Sequence, residues 1–204
     1  MKTLVLDAAA PGNLRQAADV LRQGGLVAFP TDTVYGLGAL AFDGAAVARI
    51  YAAKDRPPEK AIPVLIASAA ELPLVAATIT NRTVRLVQQF WPGPLTIVVP
   101  KNPSVPETVA GPTVGVRVPD HTAARGLLAL SGPLAVTSAN ISGAQSPATA
   151  EAVLNQLDGR VEIVLDGGST PGGIPSTVVD CTGEELIIVR EGPISLDDLR
   201  AALR

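Results

Sequence analysis

Apolar residues at Leu14, Ala17, Ala18 and Leu21 keep the i, i+3, i+4, i+7 spacing of one helix face, and Gly24-Gly25 ends that helix. The apolar run Leu26–Phe29 then reads as a buried strand, followed by a loop over Pro30–Gly38 (PTDTVYGLG). A second helix carries Val47, Ile50 and Tyr51 on one face, and Lys54 shares it. A lysine so placed either snorkels along apolar surface or serves a site. Further strands are expected at Ile62–Ile66, Leu95–Val99, Val114–Val118, Leu134–Thr137, Ile163–Leu165, Thr177–Asp180 and Leu186–Arg190. Thr80–Phe90 reads as a helix that stops before Trp91-Pro92-Gly93-Pro94, and Asp120 caps another running through Leu130. A polar loop, Ser138–Ser146, leads to a helix with Ser146 as cap and Pro147 at its first position. Ser195–Leu203 forms the last helix, with Asp198 three residues past its serine cap.

Helices and strands alternate irregularly, with strand following strand late in the chain. That order implies an α/β fold on a mixed sheet rather than a strict doubly wound one. No internal repeat or linker breaks the sequence, which reads as one domain over residues 1–204. Hydrophobic residues make up 47% of it but aromatics only 3%, so the core must be built from Val, Leu, Ile and Ala. A single cysteine, Cys181, excludes an internal disulfide. With no basic, apolar leader at the N-terminus, the expected setting is the cytoplasm, without a membrane span. The net charge of −3 counts against a general nucleic-acid binder and leaves room only for a local basic groove.

Scarcity also prunes the chemistry. One histidine and one cysteine cannot build a Cys/His zinc site, and no protein metal-ligand set is identified. A Ser-His-Asp triad would have to use His121, whose place after Pro119-Asp120 reads better as a surface histidine capping a helix. Catalysis is left to Lys, Arg, hydroxyls and backbone groups. Several loops that leave strands are rich in these, among them Thr31–Gly36, Lys54–Pro57, Thr137–Asn140, Pro175–Thr177 and Arg190–Gly192. Lys54, Arg56, Arg117 and Arg190 are cations in apolar or Gly/Pro-rich settings, as a polyanion pocket requires. No GxxxxGK[ST] is present, which excludes a P-loop. The Gly-rich stretch Asp166–Ser176 could cradle phosphates or be a plain loop. Each residue has a plainer reading: Lys54 and Arg56 as a solvated helix end, Ser138 and Asn140 as turn formers. Arg117 could face solvent, opposite Val116 and Val118, and Ser176 could simply open a strand. Singly those readings suffice; their joint occurrence is what points to a site.

Seven segments in this order resemble the YrdC-like family of threonylcarbamoyl-AMP synthases. They are FPTDTVYGLG (Phe29–Gly38), KDRP (Lys54–Pro57), WPGPLT (Trp91–Thr96), VGVRVP (Val114–Pro119), TSANISG (Thr137–Gly143), PSTVVD (Pro175–Asp180) and REG (Arg190–Gly192). The resemblance implies a twisted mixed sheet with helices packed around it and a concave, locally basic active site. It implies a nucleotidyltransferase that joins L-threonine, bicarbonate and ATP into threonylcarbamoyl-AMP and pyrophosphate, for threonylcarbamoyladenosine modification of tRNA. Magnesium would accompany the ATP, and the product would pass to a tRNA threonylcarbamoyl transferase complex, with direct tRNA contact weak at most.

By the same resemblance Thr33, Arg117, Ser176 and the backbone at Val136 stand where the family contacts threonine. Lys54, Arg56, Thr113, Ser138, Asn140, Ser146 and Arg190 stand on the ATP side, with Lys54 and Arg56 as the catalytic cations. Both of these are expected to serve ligand rather than core. Leu65 stands where some longer relatives carry histidine, which makes that wall of the threonine pocket apolar. The likeness is to the short, single-domain form. Three other readings remain: an RNA-binding module of the same fold, a carbamoyl-adenylate-dependent carbamoyl transferase, and a nucleotide-binding domain without turnover.

Overall fold

A computed structural model of the protein describes residues 2–171 and 174–204. Among these residues ten strands form one sheet: β1 (Leu4–Asp7), β2 (Val27–Phe29), β3 (Gly36–Leu40), β4 (Val64–Leu65), β5 (Leu95–Pro100), β6 (Thr113–Arg117), β7 (Leu134–Ser138), β8 (Ile163–Asp166), β9 (Thr177–Asp180) and β10 (Ile187–Arg190). Seven helices accompany them: α1 (Pro11–Arg22), α2 (Gly44–Lys54), α3 (Leu72–Val75), α4 (Asn81–Phe90), α5 (Thr122–Ser131), α6 (Ala150–Leu157) and α7 (Leu196–Ala201). The strand order is β1-β8-β2-β3-β7-β4-β6-β5-β9-β10. Parallel pairs (β1·β8, β2·β8, β4·β6, β5·β9) mix with antiparallel ones (β2·β3, β3·β7, β4·β7, β5·β6, β9·β10), giving a mixed, twisted sheet.

Period-two alternation sends the strands' side chains to two cores. One face meets α1 and α5, where Val27, Phe29, Leu134, Val136, Ile163 and Leu165 pack on Ala17, Leu21, Ala124 and Leu128. Opposite them, Ala28, Leu37, Val64, Ile97, Val116 and Val179 pack beneath α2, α4, α6 and α7. Small alanines on α1 and α5 let the helices lie close to the sheet, consistent with a core almost without aromatics.

Several boundaries differ from those the sequence suggests. The loop after β2 ends at Tyr35, and Gly36–Leu40 is a strand hidden by its glycines. A Cβ on Gly36 would lie 2.6 Å from Val136 Cγ1, so the glycine is required by the close approach of β7. Leu4–Asp7 is an additional edge strand whose exposed side chains gave no buried pattern to read. Helix α5 is capped by His121, not Asp120: the imidazole Nδ1 accepts from Ala124 N at 3.5 Å. Ser146 caps no helix; α6 begins at Ala150 behind Thr149, whose Oγ1 accepts from Ala152 N, while Pro147 O is taken by Tyr35 N. The capping box expected at Ser195 and Asp198 is present.

Candidate active site

The face of the sheet that meets α1 and α5 continues beyond them as a row of polar groups. Val114, Val116 and Val118 belong to the opposite core, so Thr113, Gly115 and Arg117 turn to this one. Leu95, Ile97 and Val99 likewise leave Thr96 here, and register sets Thr96 opposite Val178 and Arg117 opposite Leu65. Arg117 is only 5% exposed, so the plainer alternative of a solvent-facing side chain does not hold. Its guanidinium donates to Gly93 O (2.9 Å), Thr33 Oγ1 (3.0 Å) and Asp32 Oδ1 (2.5 Å). Thr33 Oγ1 in turn lies 3.0 Å from Thr31 Oγ1, whose hydroxyl donates to Val34 O. Burial pushes the Arg117 pKa down and Arg190 adds to this, while Asp32 opposes it.

Arg190 reaches back from the edge strand to Ser176, donating to its carbonyl (2.8 Å) and Oγ (3.0 Å), and Ser176 Oγ is 2.8 Å from Thr96 Oγ1. Gly192 makes this possible, since a Cβ there would stand 2.3 Å from Thr177 N. Thr33, Arg117, Ser176 and Arg190 therefore form one cluster, with two guanidinium groups close enough to repel each other. Such an arrangement is poised to accept an anion.

A second cluster sits at the C-terminal end of α2. Lys54 is 1% exposed, and its Nζ donates to the backbone carbonyls of Ser138 and Asn140. Ser142 N donates to Lys54 O at 2.8 Å, closing the loop onto the helix end. Burial first, and the nearby Arg56 charge second, lower the Lys54 pKa from 10.5 to about 7. Lys54 therefore holds the Ser138–Asn140 loop together, in contrast to the expectation of a side chain that serves ligand rather than core. Asp55 turns the chain sharply at φ 52°, and Arg56 donates to Lys60 O (3.2 Å) and Ala61 O (2.9 Å) of its own loop. Asn140 Nδ2 donates to Ile141 O (2.8 Å) and Ala144 O (2.9 Å), leaving its buried Oδ1 without a donor.

Other expected positions are more dispersed. Thr113 stands at the opposite end of β6 from Arg117, roughly 13 Å along the strand at about 3.3 Å per residue. Ser146 lies just before Pro147, beside the Tyr35 backbone. Val136 is buried under Gly36 and Gly38, and its amide is already bonded to Pro63 O. Leu65, 4% exposed, stands in register with Arg117 on the neighbouring strand.

Of the Gly-rich stretch, Gly172 and Gly173 lie outside the described residues. Its beginning is anchored by Tyr35, whose hydroxyl donates to Gly168 O (2.7 Å) and accepts from Gly167 N (3.1 Å). Sequence reasoning placed Asp32 in a candidate loop but gave it no role, and gave none to Thr96, although they lie within the FPTDTVYGLG and WPGPLT segments. A carboxylate between two threonines was the available signal for Asp32. Among the described residues, no group of three or more His, Cys, Asp or Glu side chains could hold a metal ion. No described helix is long and apolar enough to cross a membrane.

A family model for Sua5/YciO/YrdC, described as telomere recombination, matches residues 19–192. A threonylcarbamoyl-AMP synthase of Pyrococcus abyssi (strain GE5 / Orsay) is 44% identical over 193 residues, 93% of this chain and 57% of that protein. One of Bacillus subtilis (strain 168) is 42% identical over 194 residues, 93% of this chain and 56% of that protein. The chain thus spans little more than half the length of these relatives. The crystal structure of P. abyssi Sua5 complexed with L-threonine matches with a TM-score of 0.95 at 40% identity, covering 100% of this chain and 61% of that one.

Proposed function

The chain belongs to the Sua5/YciO/YrdC family, and on that premise we propose that it makes threonylcarbamoyl-AMP and pyrophosphate from L-threonine, bicarbonate and ATP. The observation that carries this reading is the pairing of two cationic clusters in one fold, Arg117–Arg190 with Thr33 and Ser176, and Lys54–Arg56 with Ser138 and Asn140. Arg117 would hold the threonine carboxylate, Thr33 its hydroxyl, and Ser176 and the Val136 backbone the remaining wall. Discrimination against an amino acid lacking the hydroxyl follows, because that analogue would forgo a hydrogen bond in a buried site.

Lys54, Arg56 and Arg190 would carry the phosphates, with Ser138, Asn140 and Ser146 along the same ligand. Thr113, far along β6, suits the distal end of an extended nucleotide. Once its ammonium group has released a proton to solvent, the threonine nitrogen bonds to the bicarbonate carbon with loss of water. An oxygen of the resulting N-carboxylate then bonds to the α-phosphorus as the bond to pyrophosphate breaks. Neither step needs a covalent enzyme intermediate, so the protein works by bringing anions together and stabilising charge on the phosphate and leaving group. Asn140 Oδ1, a buried oxygen without a donor, suits a hard cation. Magnesium accompanying ATP would be held by the phosphates and that oxygen, and would supply charge neutralisation. The product would serve tRNA modification in the cytoplasm, through hand-off to a tRNA threonylcarbamoyl transferase.

The test is purified protein with ATP, threonine and bicarbonate, following pyrophosphate and the adenylate. Release should require threonine and bicarbonate together. ATP cleavage without threonine would refute the assignment, and turnover of carbamoyl phosphate without threonine would favour the carbamoyl transferase.

A further inference from the structure

We propose that Asp32 receives the α-ammonium group of the amino-acid substrate on its Oδ2 while Arg117 holds the α-carboxylate, so that the buried Asp32–Arg117 pair is a clamp for a zwitterion. The inference rests on the threonine assignment above and adds a residue to it.

The Asp32 and Arg117 side chains are 13% and 6% exposed, which is a deep position for an ion pair. Both contacts of the Asp32 carboxylate fall on Oδ1: Arg117 Nη2 at 2.5 Å and Asp120 N at 3.1 Å. Oδ2 takes no hydrogen bond from any described residue, and it is not among the sealed, partnerless atoms of the interior. It is an open acceptor on a largely buried carboxylate, a group that ordinarily fills its lone pairs.

Arg117 is incomplete in the complementary sense. A guanidinium carries five N–H donors. Its contacts to Gly93 O, Thr33 Oγ1 and Asp32 Oδ1 use Nε and one hydrogen on each terminal nitrogen. One donor therefore remains on each terminal nitrogen, the number a carboxylate takes.

Charge leads to the same pairing. Arg117 and Arg190 bring two positive charges, and Asp32 is the carboxylate hydrogen-bonded to this cluster among the described residues. A ligand carboxylate compensates the excess cation, but its own ammonium then needs an anionic acceptor in a site otherwise lined by guanidinium groups and hydroxyls. An ammonium left unpaired there would carry a large desolvation cost. Thr33, next in sequence to Asp32, places a hydroxyl at the Arg117 end of the clamp.

The experiment compares calorimetric titrations of L-threonine and 3-hydroxybutanoate, which is threonine without its amino group, into the wild-type protein and Asp32→Asn. Asparagine keeps an acceptor for Arg117 and Asp120 N–H, and thermal unfolding checks that the variant folds. The clamp requires opposite responses. Threonine should bind at least tenfold more weakly to the variant, whereas 3-hydroxybutanoate should bind as well or better, because a negative charge beside Arg117 has been removed. Equal weakening of both ligands would mean that Asp32 only orients Arg117, and unchanged threonine affinity would mean no contact; either overturns the proposal. Should the variant not fold, the wild-type protein still decides, since equal affinities for the two ligands would also overturn it. A wild-type protein that binds neither ligand would remove the threonine assignment, and the clamp with it.

Discussion

Lys54 gives the molecule a pH dependence that can be worked out from its surroundings. Burial, and secondarily Arg56, take its pKa from 10.5 down to about 7, although Nζ donates to the carbonyls of Ser138 and Asn140. Between these two pH values the unfolded chain binds a proton that the folded protein does not, so stability rises with pH through the window and is flat below it. The full shift corresponds to an effect on the order of 5 kcal/mol at 1.36 kcal/mol per unit, with a slope of up to about 1.4 kcal/mol per pH unit. From pH 7 to 8.5 the expected gain is roughly 1.5 kcal/mol. Higher pH is avoided because burial raises the Cys181 thiol from 9.0 to about 11, which contributes the opposite slope as the unfolded thiol ionises. Lys54→Met removes the titrating group and should flatten the profile over this interval. Urea unfolding at several pH values measures both proteins. Parallel profiles for wild type and variant would refute the reasoning and place the lysine charge in a better-solvated setting than its burial implies.

Tyr35→Phe should destabilise the protein by about 1–3 kcal/mol, because Gly168 O and Gly167 N lose their partner, and hydrogen exchange should accelerate at residues 167–170. Gly36→Ala should cost about 1–3 kcal/mol through the clash with Val136, and adding Val136→Ala should recover part of it in denaturant melts. Arg56→Ala should abolish most of the pyrophosphate release proposed above, while stability changes by less than about 1 kcal/mol, as its hydrogen bonds to Lys60 O and Ala61 O lie within one loop. Arg15→Ala, exposed on α1, should alter neither.

Much of the fold was legible because buried strands write themselves as apolar runs. Leu95–Val99 and Val114–Val118 needed only small adjustments at their ends. β3 was not legible, since its glycines answer to the shape of β7, a residue pairing about a hundred positions away that local pattern cannot express. Capping failed for a related reason. Asp120, Ser146 and Thr149 are all good caps by type, and only the packed chain decides which residue meets a helix end. In the site, residue types and loop positions revealed the cations and hydroxyls. Their grouping was not readable: Arg117 with Asp32 and Thr33, Ser176 with Thr96 and Arg190. Those pairings depend on strand register and on which face each strand turns to the helices.

The order of the strands bears on how the protein is made. β1 bonds to β8 and to no other strand, and β8 is what joins it to β2. On a ribosome, residues 4–7 emerge before residues 163–166 and must wait for them, a delay on the order of 10–30 s at about 5–20 residues per second. Throughout that interval an apolar segment with exposed Leu4 and Val5 has no partner strand. The nascent chain therefore carries an unpaired strand throughout that interval, open to chaperones and to neighbouring nascent chains.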